Sequence, residues 1–360
     1  MNRKLAEIYV RGYCSANARL ARQFDGRFAG WTRPSSVCIL LTERCNARCV
    51  HCDIWKNKGP ESVLSLERWK LFVDDLTAWF GTGVLVVFTG GEGLLQPFAP
   101  ELIDYAVRGG LNIELLTHGY WNDYSRLKRV AYANPYRITV SLDGLGATHS
   151  VVRGRENFWQ LSFASLMQLK RWRKEGHLKF VVRLKTVIMQ QSLGGAGEVA
   201  RFAREHDFEV FYQPVERNYN TPHDPNWYQT SANWPTDSAR CRTVIEELLR
   251  MQDDGYPIAN SRTQLRRMIE YFEDPQRLMV RTEAHAAHEA KASCASLTTL
   301  QVQPNGEVVT CTAMPPIGNI SDTPIRQLWR TRPPWWLGGC CMGARCSERE
   351  KADAQFPVHP

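Results

Sequence analysis

The chain of 360 residues is 43% apolar and 23% charged, enough to bury a full core and an appended module, and it has no low-complexity tract. Its formal net charge of +8 comes from Lys and Arg scattered through helical stretches, with no basic run interleaved with aromatics, which argues against nucleic acid as a partner. Apolar runs such as Val84–Phe88 are strand-sized and far short of a membrane span, and the N-terminus has no apolar signal core, so the expected location is cytoplasmic.

Residues 1–35 read as an N-terminal helical extension. From 36 to 216, short β-rich runs alternate with longer amphipathic ones. The strand candidates are VCILLT (Val37–Thr42), VLVVFT (Val84–Thr89), NIELLT (Asn112–Thr117), RITVSLD (Arg137–Asp143), KFVVRLKTVIM (Lys179–Met189) and FEVFYQPV (Phe208–Val215). Between the first two, Leu64–Phe80 places Leu66, Trp69, Val73, Leu76 and Phe80 on one helical face. Six βα repeats predict an α/β fold, a partial (β/α)6 barrel with parallel strands rather than a closed eight-fold one. Residues 217–290 open on an Asn-, Pro- and Thr-rich stretch and read as a linker with two helices, roughly Ser238–Asp253 and Arg262–Phe272. Residues 291–360 read as a small C-terminal cysteine-rich module containing a β-hairpin, because Pro304-Asn305-Gly306 separates two β-rich runs within Leu297–Thr310.

The chain has 11 cysteines, and in a reducing compartment clustered cysteines point to metal or catalysis rather than disulfides. Cys45, Cys49 and Cys52 sit together directly after the first strand. Thiolates spaced by three and then two intervening residues can wrap one side of a cubic cluster. Three sulfurs then bind three irons and leave the fourth open to an outside ligand, the mark of a catalytic rather than a structural site. On spacing alone a zinc ion held by these thiols with His51 or a distant ligand is the alternative. Cys38 lies within the strand and reads as a core residue; Cys14 and Cys241 are isolated.

The CxxxCxxC loop after strand one, followed after strand two by Val87-Phe88-Thr89-Gly90-Gly91-Glu92, resembles the radical S-adenosylmethionine superfamily. The resemblance implies a [4Fe-4S] cluster on Cys45, Cys49 and Cys52 with S-adenosylmethionine on its open iron. Gly90 and Gly91 would let backbone carbonyls approach the methionyl ammonium, with Glu92 as complementary charge. His51 would lie beside the adenine. Thr117-His118-Gly119 resembles a Thr-Asn-Gly turn after strand three, with His118 in place of Asn. Ser141, in Ser-Leu-Asp-Gly after strand four, corresponds to a serine near the ribose. Arg153 corresponds to an arginine that pairs with the methionyl carboxylate, the other reading being a surface cation. All these positions fall at the C-terminal ends of successive strands, the rim that builds the active site in βα barrels.

Cys294, the hairpin with Gly306, Cys311, Gly318-Asn319-Ile320, Ile325–Trp329 and the tail cysteines resemble a SPASM or twitch module. That implies one auxiliary [4Fe-4S] cluster on Cys294, Cys311, Cys341 and Cys346, with Cys340 as the alternative to Cys341; a zinc knuckle is the other reading. The implied chemistry is reductive cleavage of S-adenosylmethionine to a 5′-deoxyadenosyl radical that removes a hydrogen from a substrate C–H. It needs an electron donor such as flavodoxin or ferredoxin. The expected substrate is a peptide in natural-product maturation. The alternative is epimerisation or dehydrogenation of a sugar or other small molecule, for which Cys241 is the candidate hydrogen donor. A non-enzymatic iron–sulfur or zinc protein is a third class. The residues before the first strand are few for a leader-binding domain, which weighs against the peptide reading without removing it, since a leader-binding protein can be separate.

Overall fold

The computed structural model describes residue 16 and residues 32–58, 61–82, 84–219, 221, 224, 226–275, 299–310 and 315–332. The expected N-terminal extension falls almost wholly outside these residues, and so do Cys294, Cys311, Cys340, Cys341 and Cys346.

Each predicted strand forms: β1 (Ser36–Leu40), β2 (Leu85–Thr89), β3 (Asn112–Thr117), β4 (Arg137–Ser141), β5 (Val181–Ile188) and β6 (Glu209–Pro214). They pair in parallel in chain order, as the βα alternation predicts. The helices between them are α1 (Leu66–Phe80), α2 (Ala99–Arg108), α3 (Ser125–Ala133), α4 (Ala147–Arg153), α5 (Phe158–Glu175) and α6 (Ala196–His206). Helix α1 starts two residues later than its apolar pattern suggests. The Ser65 hydroxyl accepts the Arg68 amide at 3.3 Å, an N-cap that fixes the start, and Gly81 at φ 54° ends the helix.

Period-two alternation within the strands separates two environments. One face carries fully buried residues such as Ile39, Phe88, Leu115, Val140 and Leu184, packed against the helices. The opposite face lines an open lumen and carries Cys38, Val87, Glu114, Thr139, Lys185 and Phe211. Cys38, predicted as a core residue, therefore faces the lumen, because its parity is that of Ser36 and not of Val37 and Ile39. Glu114 and Arg137 form a buried ion pair across β3 and β4, with Thr139 donating to the second carboxylate oxygen. Burial alone would raise the Glu114 carboxyl, but Arg137 outweighs it and holds it below the usual range.

After β6 come α7 (Trp227–Thr230), α8 (Ser238–Asp253) and α9 (Arg262–Glu273). Ser261 and Gln264 close α9 with a reciprocal capping box. The free edge of β6 is covered: the Asn260 side chain accepts from the Tyr212 amide and donates to its carbonyl, both at 2.8 Å, and Val210 exchanges backbone bonds with Pro257 and Ala259.

The predicted hairpin is β7 (Thr299–Val302) with β8 (Glu307–Val309), turned by Gly306 at φ 88°. Strand β9 (Gly318–Asn319) pairs antiparallel with β8. The sequence pattern did not reveal that β7 lies parallel against β1, from Ser36 opposite Thr299 to Ile39 opposite Val302. The hairpin thus continues the barrel sheet in the order β6-β5-β4-β3-β2-β1-β7-β8-β9. Helix α10 (Ile325–Thr331) locks this arrangement onto α1. Its Ile325 amide donates to Asp75 at 2.9 Å, and the buried Trp329 indole donates to the Thr32 carbonyl at 3.0 Å.

Candidate active site

The three-cysteine loop leaves β1 at the C-terminal rim of the sheet and is held on several sides. The Arg48 and Val50 amides donate to the Arg153 and Val152 carbonyls at 3.1 and 3.0 Å, so the loop runs along the end of α4. The Arg155 guanidinium donates to the Asn46 carbonyl at 2.7 Å. Asn233 donates to the Val50 carbonyl at 2.9 Å. Ala47, Cys49 and Phe158 form a small buried cluster with Cys45, Cys52 and Tyr120 packed around it, and Tyr120 stacks on Phe158 at 4.6 Å between ring centroids. Backbone bonds, side-chain bonds to its carbonyls and packing thus fix the loop.

The Gly-Gly-Glu turn after β2 is zipped to the same loop. The Gly91 amide donates to the Thr42 carbonyl at 2.7 Å and the Glu92 amide to the Arg44 carbonyl at 2.9 Å. A Cβ at Gly90 or Gly91 would overlap the carbonyl oxygen of Thr42 or Arg44, and Gly90 also sits at φ 130°. The glycines are therefore required by the cysteine loop pressing on them, whatever ligand they face. Gly91→Ala is expected to lower the unfolding free energy by about 2–3 kcal/mol, since it overpacks the contact and breaks two backbone bonds. Urea denaturation of the anaerobic protein measures this, and iron content reports whether the cysteine loop is displaced with it.

Glu92 does not line the cavity. It is fully buried behind the turn, where Oε2 accepts from the Thr117 hydroxyl at 2.9 Å and the His118 amide at 2.8 Å, and Oε1 accepts the Leu94 amide at 3.2 Å. Burial raises its carboxyl to about 7 against these bonds. His118 extends the tie: Nδ1 accepts the Tyr120 amide at 2.9 Å, so Nε2 carries the proton and donates to the Asn46 side chain at 2.6 Å. Burial and then the Arg153 charge keep this imidazole neutral. Asn46 lies between Cys45 and Cys49, so the turns after β2 and β3 reach the cysteine loop through this chain of bonds.

These loops surround a cavity of about 900 Å³. Cys45, Cys49, Cys52, His51, Gly90, Gly91, Thr117, Ser141 and Arg153 all line it. The sequence-predicted residues of the first site therefore meet in one place, with Glu92 behind them. Cys241 is elsewhere: it is fully buried in α8, within the main core, and is absent from the cavity lining.

Arg153 is 7% exposed, and its guanidinium pairs with Asp143 at 2.6 Å and donates to the Cys49 sulfur at 3.5 Å. Burial raises the Asp143 carboxyl, but Arg153, then His51 and His149, outweigh this and hold it below the usual range. The surface-cation reading of Arg153 is thereby ruled out by its burial. Burial pushes the Cys45 thiol up to about 12 and the Cys52 thiol to about 11. Such thiols are poor nucleophiles on their own, and a bound cationic centre would reverse the shift.

The donor set fits a polynuclear cluster. Cys45, Cys49 and Cys52 line the same cavity, and three thiols there are the donor type that an iron–sulfur cluster takes. Two buried polar atoms at the same cavity, His51 Nδ1 and Arg153 Nε, have no hydrogen-bond partner among the described residues and are left for a polar ligand.

The radical SAM superfamily model matches residues 39–176, which include every loop just described as far as Arg155 and Phe158. Those residues are a radical SAM domain. Fe-coproporphyrin III synthase of Methanosarcina barkeri is 33% identical over 151 residues, 41% of this chain and only 37% of that relative. The AdoMet-dependent heme synthase of the same organism is 23% identical over 324 residues, covering 86% of this chain and 87% of the relative. The subtilosin biosynthesis protein AlbA of Bacillus subtilis is 23% identical and covers 87% of this chain and 65% of its own length. Among solved structures, Streptococcus suis SuiB bound to S-adenosylmethionine superposes with a TM-score of 0.63 at 16% identity, over 84% of this chain and 67% of SuiB. At that identity the likeness is one of fold.

Several cavity-lining residues escaped the sequence reading, Lys185 and Gln301 among them, on β5 and β7. The signal for Lys185 was present: Arg183 and Lys185 place charges at alternate positions of an otherwise apolar strand, which a sheet covered by helices tolerates only on a lumen face. Gln301 carried no such signal, because nothing in its local sequence shows that β7 docks on β1.

Proposed function

We propose that this radical SAM chain cleaves S-adenosylmethionine reductively and uses the resulting radical to abstract hydrogen from a C–H bond of a peptide during natural-product maturation. The observation that carries the reading is the convergence of the three thiols, the Gly90-Gly91 turn, Ser141 and the buried Arg153 on one cavity. Cys45, Cys49 and Cys52 would hold a [4Fe-4S] cluster, which with S-adenosylmethionine supplies the 5′-deoxyadenosyl radical. The chain's own work is placement. Arg153, oriented by Asp143, offers a guanidinium to a carboxylate; the backbone at Gly90 and Gly91 offers carbonyls to an ammonium; His51, neutral because burial lowers it to about 4, offers a flat uncharged surface. Relatives support the peptide substrate: AlbA is a bacteriocin biosynthesis protein, and SuiB has been captured with a precursor peptide.

A second reading, oxidation of a small molecule, is favoured by a relative that aligns over 86% of this chain and 87% of its own length, which is named a heme synthase. Under either reading an auxiliary [4Fe-4S] cluster on Cys294, Cys311, Cys346 and one of Cys340 or Cys341 is part of the proposal, as is an electron donor of the flavodoxin or ferredoxin kind. Among the described residues no helix is long and apolar enough to cross a membrane.

The test is anaerobic reconstitution followed by chemical reduction with S-adenosylmethionine present. We expect 5′-deoxyadenosine and methionine in equal amounts and about eight irons per chain, two cubanes' worth. A colourless protein, or one that never forms 5′-deoxyadenosine, would sink the radical reading. About four irons would remove only the auxiliary cluster. Cys241→Ala should leave product formation intact, given its place in the α8 core; loss of product with 5′-deoxyadenosine still formed would return it to the chemistry.

A further inference from the structure

Below the rim, the cavity continues into a second chamber of about 480 Å³ along the lumen, bordered by Cys52, Thr89, Gly90 and Tyr219 where the two meet. Three cationic side chains, Arg137, Arg183 and Lys185, line this lower chamber against one carboxylate, Glu114. Two of the cations are already matched: Arg137 pairs with Glu114, and Arg183 with Glu209 at 2.7 Å. In the upper cavity Arg153 is matched by Asp143, and Arg217 donates to the Thr221 carbonyl.

Lys185 differs from all of these. It lines both chambers, and among the described residues its ammonium makes neither a hydrogen bond nor an ion pair. Glu216, on the upper wall, is near enough to feel its charge but forms no ion pair with it. An ammonium on a half-buried lumen wall that has no acidic partner is placed to meet an anionic group entering the chamber. The Arg137 Nε, in the same lower chamber, also has no acceptor.

We propose that Lys185 anchors a carboxylate of the substrate in the lower chamber, so that the reacting C–H is held above it, toward the cysteine loop. The carboxylate belongs either to an Asp or Glu side chain of a peptide or to a carboxylated small molecule, and the inference rests on the radical SAM reading of the upper cavity. Lys185 is then a specificity-determining residue. Its ammonium selects for the acid, and neutralising the lysine strands the carboxylate in a partly dry site.

The test uses the full chain, reconstituted anaerobically and saturated with S-adenosylmethionine. One arm selects binders from a randomised nine-residue peptide library; the other titrates coproporphyrin III, a tetracarboxylate, by its absorbance. Wild type should enrich Asp or Glu at one peptide position, or bind the tetracarboxylate, and the responding arm names the source. Lys185→Met should weaken that binding by at least ~10-fold, the size expected for a charge-assisted hydrogen bond. Lys185→Arg should keep it within ~3-fold. Lys185→Glu should turn an acidic peptide preference into a basic one. Three results would overturn the assignment: no acid preference in either arm, a Lys185→Met variant that binds as wild type does, or a Lys185→Met protein whose affinity for S-adenosylmethionine by equilibrium dialysis falls ~10-fold. The last would place Lys185 with the cofactor. Formation of 5′-deoxyadenosine by wild type reports separately on the radical reading, so the two failures cannot be confused.

Discussion

Replacing Cys45, Cys49 and Cys52 together by Ala is expected to abolish 5′-deoxyadenosine formation while leaving the fold in place. The loop that carries them is held by backbone bonds to Arg153 and Val152, by the Arg155 and Asn233 side chains, and by the Asn46–His118 tie, none of which uses a thiol. Truncation of Cys49, the most buried of the three residues, costs about 1 kcal/mol, small against the whole fold. Far-UV circular dichroism should therefore match wild type. The broad iron–sulfur absorbance should fall, with iron dropping by about four per chain. Unchanged turnover would show that the radical is generated elsewhere; an unfolded variant would show that the thiols themselves organise the rim.

The second large effect concerns the ion pair beneath Cys49. Asp143→Ala should destabilise the protein by about 3–5 kcal/mol, because it leaves the buried Arg153 guanidinium without its carboxylate and the Val187 amide without its 2.9 Å acceptor. Asp143→Ala/Arg153→Met should cost less than the sum of the single changes, and that non-additivity, read by urea denaturation, identifies the pair as the cause. The pH dependence has a definite sign. The Asp143 carboxyl is held below its ordinary value in the folded protein, so its contribution is present above the ordinary carboxylate range and is lost as pH falls through the depressed folded value. Wild type should thus lose stability on acidification more steeply than the double variant does. Parallel acid titration curves for the two would remove the pair from the account.

These two sites differ in how much of them could be read from the chain. The cysteine loop was fully legible, because its spacing and its place after an apolar strand are local. Arg153 could be recognised only by resemblance, and its burial came with α4 folding onto the cysteine loop, where Gly154 lets the Arg48 carbonyl approach. Glu92 shows the same limit from the other side. Its sequence position suggested a ligand-facing charge, whereas its oxygens are spent on the Thr117 hydroxyl and the His118 amide, 25 and 26 residues away.

By itself the sequence determined the parallel six-strand core, the hairpin and the place of the three-cysteine loop, because strand periodicity, turn chemistry and cysteine spacing are short-range patterns, whereas the turns that face the loop were picked out by resemblance. Only the tertiary structure decided which strand faces look into the lumen, that β7 extends the sheet beside β1, that Cys241 is core, and that Lys185 stands in the cavity without an acidic partner among the described residues. Those outcomes depend on which segments meet across hundreds of residues, and long-range pairing is selected by the burial of whole faces rather than by any one stretch of chain.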